Sequence, residues 1–168
     1  MMAALHANAQ RGTVLILSLV FLLLLTMLGL SSLQNATLQE KMAGALNRRQ
    51  VSFQLAEHVL RVAEARVKAP GFALPECAPI NTCGPPPEAL TVSGAGPGGA
   101  SGVTWEAVDG GFYALQNFAK TNDPVNVGPV DEATTLYRVT AVAVRDGART
   151  VLESVHTDTR RIMWRQRQ

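Results

Sequence analysis

The chain contains few of the side chains from which catalytic and metal sites are built. It has two cysteines and three histidines, His6, His58 and His156. The sequence holds no phosphate-binding loop and no HExxH motif. Ser154, His156 and Asp158 alternate along one segment, but residues at i, i+2 spacing do not converge as a catalytic triad must. We therefore predict no enzyme activity, no catalytic residue, no metal site and no cofactor.

Charged and aromatic side chains are also scarce, at 17% and 5% of the 168 residues, and the net charge is only +2. So small a positive excess does not favour nucleic acid as a partner. The chain ends in a basic segment, residues 159–168, which contains one tryptophan. We interpret this segment as a solvated tail. Docking on a partner, or stacking on nucleic acid, is the alternative.

A long run without charge, Thr13–Leu33, lies between Arg11 and Glu40. A helix needs about 20 apolar residues to cross the hydrocarbon core of a bilayer. The alternative, a buried helix of a soluble protein, would need a large apolar partner surface that the rest of the chain does not offer. We predict a membrane-spanning helix half over residues 13–35. In such a helix a hydroxyl can bond to a carbonyl one turn earlier, which accommodates Ser18, Thr26, Ser31 and Ser32.

Twelve residues, ending in Arg11-Gly12, precede the apolar run. A secretory signal would have a shorter apolar region, of about 7–15 residues, followed by a small-residue cleavage site. Neither feature is present here. Arg11 mildly favours a cytoplasmic N-terminus by the positive-inside rule, although Arg48 and Arg49 on the other side weaken this preference.

The segment 36–69 is predicted to form a second, amphipathic half of the same helix, which ends at Pro70-Gly71. It carries two apolar stripes at helical spacing. One stripe would pack on the protein's own sheet and the other on neighbouring subunits; alternatively, both belong to one wide core face. The first stripe contains Met42, Leu46, Phe53, Ala56, Leu60, Ala63 and Val67, and the second contains Val51, Leu55, Val59 and Val62. Two i,i+4 ion pairs are expected, Glu57–Arg61 and Glu64–Lys68.

Residues 70–102 are rich in proline and glycine and are predicted to form a long surface loop. This loop contains Cys77 and Cys83. Their spacing is not that of a zinc site. A cytoplasmic pair would stay reduced, whereas a pair outside the cytoplasm would oxidise; we favour a disulfide.

Residues 103–158 are predicted to form an antiparallel sheet. Leu136–Val144 alternates, with Tyr137, Val139, Ala141 and Ala143 on one face. Asp146-Gly147 then predicts a hairpin turn, and Thr150–Thr157 is the returning strand. A helix followed by an antiparallel sheet indicates an α+β domain, in which the long N-terminal helix packs on the small sheet.

The N-terminal pattern resembles that of the type IV pilins. A short leader ending in Arg-Gly, an apolar helix and an amphipathic helix follow one another between Gln10 and Glu64. This region is similar to the N-terminal region of the PilX family of minor pilins, most specifically over Ala36–Arg61. The segment Tyr137–Val155 also resembles that family's closing hairpin. The resemblance implies a pilin-like α+β fold.

The same resemblance implies that prepilin peptidase cleaves after Gly12 and that Thr13, the new N-terminus, is N-methylated. Most pilins have glutamate at the fifth mature position, which here is Leu17. In a filament that carboxylate pairs with the terminal amine of a neighbouring subunit. The related GspK-like tip pseudopilins also lack it. Leu17 therefore favours a tip or initiating position; alternatively, it belongs to an ordinary membrane anchor.

The resemblance implies a minor pilin that primes or caps a type IV pilus, with roles in twitching motility or adhesion. It would reside in the inner membrane with a single pass and a periplasmic C-terminal domain, and then at the pilus tip or cell surface. Its partners would be other minor pilins and the major pilin, through the N-terminal helix, together with prepilin peptidase and a tip adhesin. The alternatives are a type II secretion pseudopilin and a membrane-anchored binding domain that never polymerises.

Overall fold

The protein consists of one long helix followed by an antiparallel sheet, as seen in a computed structural model that describes residues 11–78 and 80–167. Helix α1 spans Arg11–Val67. The predicted leader, residues 1–12, lies outside the described residues except for Arg11 and Gly12. Contacts divide the chain into two units, Met1–Ala45 and Leu46–Gln168.

The sheet has six strands in the order β1-β2-β3-β4-β5-β6, and each strand is antiparallel to its neighbour. The α+β prediction is therefore confirmed. The central pair, β3 and β4, is the longest. The strands are β1 Gly96–Pro97, β2 Thr104–Val108, β3 Gly111–Thr121, β4 Thr134–Arg145, β5 Ala148–His156 and β6 Arg161–Arg167.

The hairpin between β4 and β5 turns at the predicted residues. Asp146 has φ 48° and Gly147 has φ 78°. Two successive residues of positive φ make the two-residue turn whose twist suits antiparallel strands. The turn fixes the register, which pairs Arg145 with Ala148 and Tyr137 with His156.

One face of the sheet, which we call the inner face, packs against the C-terminal part of α1. Tyr137, Val139, Ala141 and Ala143 all lie in this core, as their alternation predicted. The helix contributes residues from both predicted stripes, because Val59 is as fully buried as Ala56, Leu60 and Ala63. The expectation that one of the two stripes packs on neighbouring subunits is therefore wrong for this part of the helix, where both stripes contribute to one wide core face, which was the alternative.

The opposite, outer face of the sheet is also covered. The segment between α1 and β2 contains two short 3-10 helices, Ile80–Cys83 and Pro87–Leu90. Ala89 and Val103 from this segment pack on Trp105, Ala114, Val142 and Val151 of the sheet. The predicted surface loop is therefore a covering layer, because Ala114, Val142 and Val151 face outward and would otherwise be exposed to water.

The predicted solvated tail is wrong for Arg161–Arg167, which form strand β6 beside β5. Two contacts explain its place in the sheet. Trp164 meets Phe53 of α1 edge to face on the inner side, with ring centroids 6.2 Å apart. Arg165 and Arg167 lie on the outer side, where both pair with the buried carboxylate of Glu153.

Candidate assembly surface

The N-terminal part of α1 presents apolar side chains on every side. From Val14 to Leu33 the large apolar side chains are 48–70% exposed. Soluble proteins rarely leave so large an apolar surface in contact with water. This is also the one helix among the described residues that is long and apolar enough to cross a membrane. Its length and composition fit a membrane anchor, with lipid or other apolar helices covering the surface.

The polar groups in this region are satisfied within the helix. Ser18 Oγ donates to the carbonyl of Leu15 at 2.8 Å, and Thr26 Oγ1 donates to that of Leu23 at 2.8 Å. Ser31 Oγ donates to the carbonyl of Met27 at 2.9 Å. Hydroxyls bonded in this way can enter hydrocarbon without the full cost of an unpaired polar group.

The three residues that the sequence resemblance predicts to act in processing and assembly lie at the start of this surface. Gly12 and Thr13 are exposed, and no atom lies within 4 Å of the place where a Cβ on Gly12 would be. Leu17 is 70% exposed. It shares one helix face, at i+3, i+4 spacing, with Val14, Ser18, Phe21, Leu22 and Leu25. A partner helix on this face would meet only apolar side chains and one hydroxyl that is already bonded.

A buried polar cluster holds the C-terminal part of α1 to the sheet. Glu64 Oε1 lies 3.1 Å from His156 Nε2 of β5 and 3.2 Å from Arg161 Nη1 of β6. Burial by itself would raise the pKa of Glu64. The imidazole of His156, the hydroxyl of Ser154 and the guanidinium of Arg161 stabilise the charged carboxylate more strongly, and the pKa falls to about 2. The cluster is therefore a charged bridge between helix and sheet.

This cluster corrects one expectation from the sequence. Glu64 was expected to pair with Lys68 on the surface, but it turns inward to His156 and is only 7% exposed. The other expected helix pair, Glu57–Arg61, is present at 3.6 Å. Ser154 and His156 do lie on the same side of β5, yet both are fully buried, so no substrate can reach them. The sequence signal for the cluster was the alternation of β5, which sends both side chains inward.

A disulfide joins Cys77 and Cys83, whose Cα atoms are 5.4 Å apart. Side chains on the outer face of the sheet hold the resulting loop. Gln116 Nε2 donates to the carbonyls of Thr82 and Gly84 at 3.0 and 3.3 Å. Arg138 Nη1 donates to the carbonyl of Cys83 at 2.6 Å. The disulfide loop is therefore fastened to the sheet at several carbonyls.

A second polar cluster lies beside that loop, around Arg66, Glu106 and Tyr113. Arg66 contacts both Glu106 and the Tyr113 hydroxyl, which is 2.6 Å away, and Tyr113 donates to Glu106 at 2.7 Å. Burial, together with the hydrogen bond to Glu106, raises the pKa of Tyr113. A cleft of about 400 Å³ runs from Arg66 past Leu74 and Cys77 to Gln116. Arg66, Glu106 and Tyr113 satisfy one another's polar groups, so we interpret them as a contact that holds α1 to strands β2 and β3 rather than as a reactive site.

Residues 11–61 match the PilX N-terminal family model. The match supports a PilX-family, type IV pilin-like protein. The match covers less than a third of the sequence and includes the whole exposed apolar part of α1. No curated protein and no solved structure matches the chain.

The family match gives a reason for the exposed apolar helix. It supports a type IV pilus-related pilin, and pilins of this family are structural rather than enzymatic. Members of a pilus system interact with other pilus components, and an exposed apolar helix suits such contacts. Among the described residues no group of three histidine, cysteine or acidic side chains lies close enough to hold a metal ion.

Proposed function

We propose that this pilin is a minor subunit that lies at the tip of a type IV pilus, in few copies, and helps to start filament assembly. Before assembly it would span the inner membrane once, with its N-terminus in the cytoplasm and its sheet domain in the periplasm. Its exposed apolar helix would then contact other minor pilins and the major pilin, and its outer end could carry a tip adhesin. Through assembly it would contribute to twitching motility or adhesion.

The observation that carries the proposal is Leu17, on a helix with no charged residue between Arg11 and Glu40. A subunit within the shaft would bring its neighbour's terminal ammonium next to Leu17. An unpaired charge in an apolar environment costs several kcal/mol even after relaxation. A subunit with no neighbour ahead of it avoids this cost. The apolar face around Leu17 therefore supports a position of this subunit at the pilus tip.

Processing at the Gly12–Thr13 bond is part of the same proposal. We expect prepilin peptidase to cleave after Gly12, because a residue without a side chain leaves the peptide bond accessible, and Thr13 would then be N-methylated. The disulfide of Cys77 and Cys83 supports the periplasmic location of the sheet domain, since disulfides persist in oxidising compartments.

The test of processing is the substitution Gly12→Val. The variant should remain full length in membranes, about twelve residues longer than the processed protein, and should not support piliation. Gly29→Val is the matched control: it makes the same change in the same helix, also at a site with no atom within 4 Å of the Cβ position. This control should still be shortened. A Gly12→Val protein that is shortened normally would contradict cleavage at this bond.

A further inference from the structure

Strand β6 forms one edge of the sheet, and its outward side has no strand beside it among the described residues. It stands last in the strand order and pairs only with β5. The other edge is strand β1, which has two residues and ends in a proline, so it offers a partner little backbone. Strand β6 has seven residues and contains neither proline nor glycine. It therefore presents a row of unpaired N–H and C=O groups.

The rest of the sheet domain touches only the beginning of this edge. The side-chain amide of Asn126 donates to the carbonyl of Ile162 at 3.3 Å. Beyond that point, among the described residues, only β5 forms hydrogen bonds with the backbone of residues 163–167. Met163 and Trp164 are 47% and 42% exposed. We call residues 163–167 the free edge, because a second strand can reach their backbone.

The free edge has an excess of positive charge on the outer face of the sheet. Arg165 and Arg167 pair with the same carboxylate, that of Glu153, at 2.7 and 3.0 Å. Arg138 of β4 lies near this group. Burial lowers the pKa of Arg138, the charge of Glu153 opposes this decrease, and the charges of Arg165 and Arg167 add to it. Three guanidinium groups therefore surround one carboxylate. The side chain of Arg165 is 48% exposed, so an acidic group from outside can reach it.

These charges determine which strand can pair with the free edge. If a second copy of the chain paired antiparallel about Trp164, Arg161 of each copy would face Arg167 of the other, and like charges opposite each other are destabilising. An acidic strand would instead place carboxylates opposite Arg165 and Arg167, and opposite charges across strands are stabilising. On the inner face, the exposed part of the Trp164 ring suits an apolar neighbour.

We propose that the free edge binds, by addition of a β-strand, an extended segment of a partner protein in which acidic and apolar residues alternate. Two acidic side chains of this segment would lie opposite Arg165 and Arg167, and an apolar side chain would lie opposite Trp164. Backbone hydrogen bonds would supply affinity, and the alternating side chains would supply specificity. Such binding does not require a place at the pilus tip.

The test uses the full-length protein in micelles of an uncharged detergent at low salt, where charge pairs are least screened. The probe is a short capped peptide in which glutamate and valine alternate, titrated to about 1 mM. Amide hydrogen exchange is followed residue by residue by NMR. At saturation, exchange should slow about tenfold or more at alternate residues of the free edge, because their outward N–H groups become hydrogen-bonded. The exchange of residues in β2 and β3 should not change.

Matched peptides and variants separate charge from backbone pairing. A peptide with glutamine in place of glutamate should bind about fivefold or more weakly, because it loses two charge pairs. A peptide with N-methylated backbone amides keeps its charges and should not bind. Arg165→Gln should weaken binding of the glutamate peptide about twofold to fivefold, and Glu153 keeps Arg167 as a partner in this variant. Arg145→Gln, the same change at the exposed end of β4, should bind as the wild type does.

Four outcomes would overturn the proposal. Unchanged exchange of the free edge throughout the titration would show that no strand adds there. Equal binding of the glutamine peptide would show that charge does not select the partner. Equal binding of the N-methylated peptide would make the edge a surface for anions rather than a template for a strand. Exchange that slows with rising protein concentration, without peptide, would make the edge a contact between copies of this chain.

Discussion

The bridge between α1 and the sheet should be a main source of stability in the sheet domain, and Glu64→Gln tests this. Glu64 is nearly buried, with His156 Nε2 at 3.1 Å and Arg161 Nη1 at 3.2 Å. Its pKa is lowered from 4.5 to about 2. A shift of one pKa unit corresponds to about 1.4 kcal/mol, so the charged carboxylate contributes about 3 kcal/mol at pH 7. This is an upper value, because Arg161 is about half exposed and water screens its share.

The sign of the pH dependence follows from the direction of the pKa shift. A carboxylate whose pKa is depressed on folding stabilises the fold fully above its unfolded pKa and loses that contribution as the pH falls through the folded value. For Glu64 this window runs from 4.5 down to about 2. At pH 3 the contribution should be roughly half of its value at pH 7. The difference between wild type and Glu64→Gln should shrink accordingly.

The measurement is thermal unfolding of the full-length protein in detergent, followed by tryptophan fluorescence at several pH values. For a domain of this size about 3 kcal/mol corresponds to a decrease in Tm of about 10 °C at pH 7. The matched control is Glu57→Gln, which removes the exposed pair with Arg61 on the same helix. Its effect should be at most about 1 kcal/mol. Two results would contradict a stabilising role for the charged bridge. One is an equal decrease in Tm for both substitutions, and the other is a decrease for Glu64→Gln that does not become smaller towards pH 3.

Two further predictions concern the sheet and the disulfide loop. Gly111→Ala should destabilise the domain by several kcal/mol, because the added Cβ would lie 2.0 Å from the carbonyl oxygen of Val142. Gly94→Ala, where no atom lies within 4 Å, should change Tm little; similar Tm values for both variants would contradict the close approach of β3 and β4. Alkylation without reductant should label neither Cys77 nor Cys83 of the mature protein, and the double serine variant should lose about 2–3 kcal/mol of stability. Labelling of both cysteines in the absence of reductant would show that the disulfide does not form.

Much of the fold follows from local signals in the sequence. Alternation placed Tyr137, Val139 and Ala141 on the face that packs against the helix, and Asp146-Gly147 predicted the hairpin. These features depend on neighbouring residues, whose side-chain directions are set by the two-residue period of a strand. They could therefore be predicted without knowledge of the rest of the chain.

Other features depend on residues far apart in the sequence and were missed. The arginines of β6 were predicted to belong to a solvated tail. In the structure they form ion pairs with Glu153 of β5 and Glu64 of α1, and nothing in the local sequence indicates these partners. The segment between α1 and β2 was predicted to be a surface loop, because no local signal shows that Gln116 of β3 holds its carbonyls. Because the partners are set by tertiary packing, local propensity could not predict them.

The position of the protein in the filament is the central claim, and the most direct test is immunogold labelling of the sheet domain on sheared pili. If Leu17 excludes the subunit from the shaft, gold should mark one end of each filament, in few copies. Leu17→Glu, which restores a carboxylate at the fifth position after Gly12, should allow some label along the sides. Uniform labelling of the wild-type protein along the shaft would contradict the tip position.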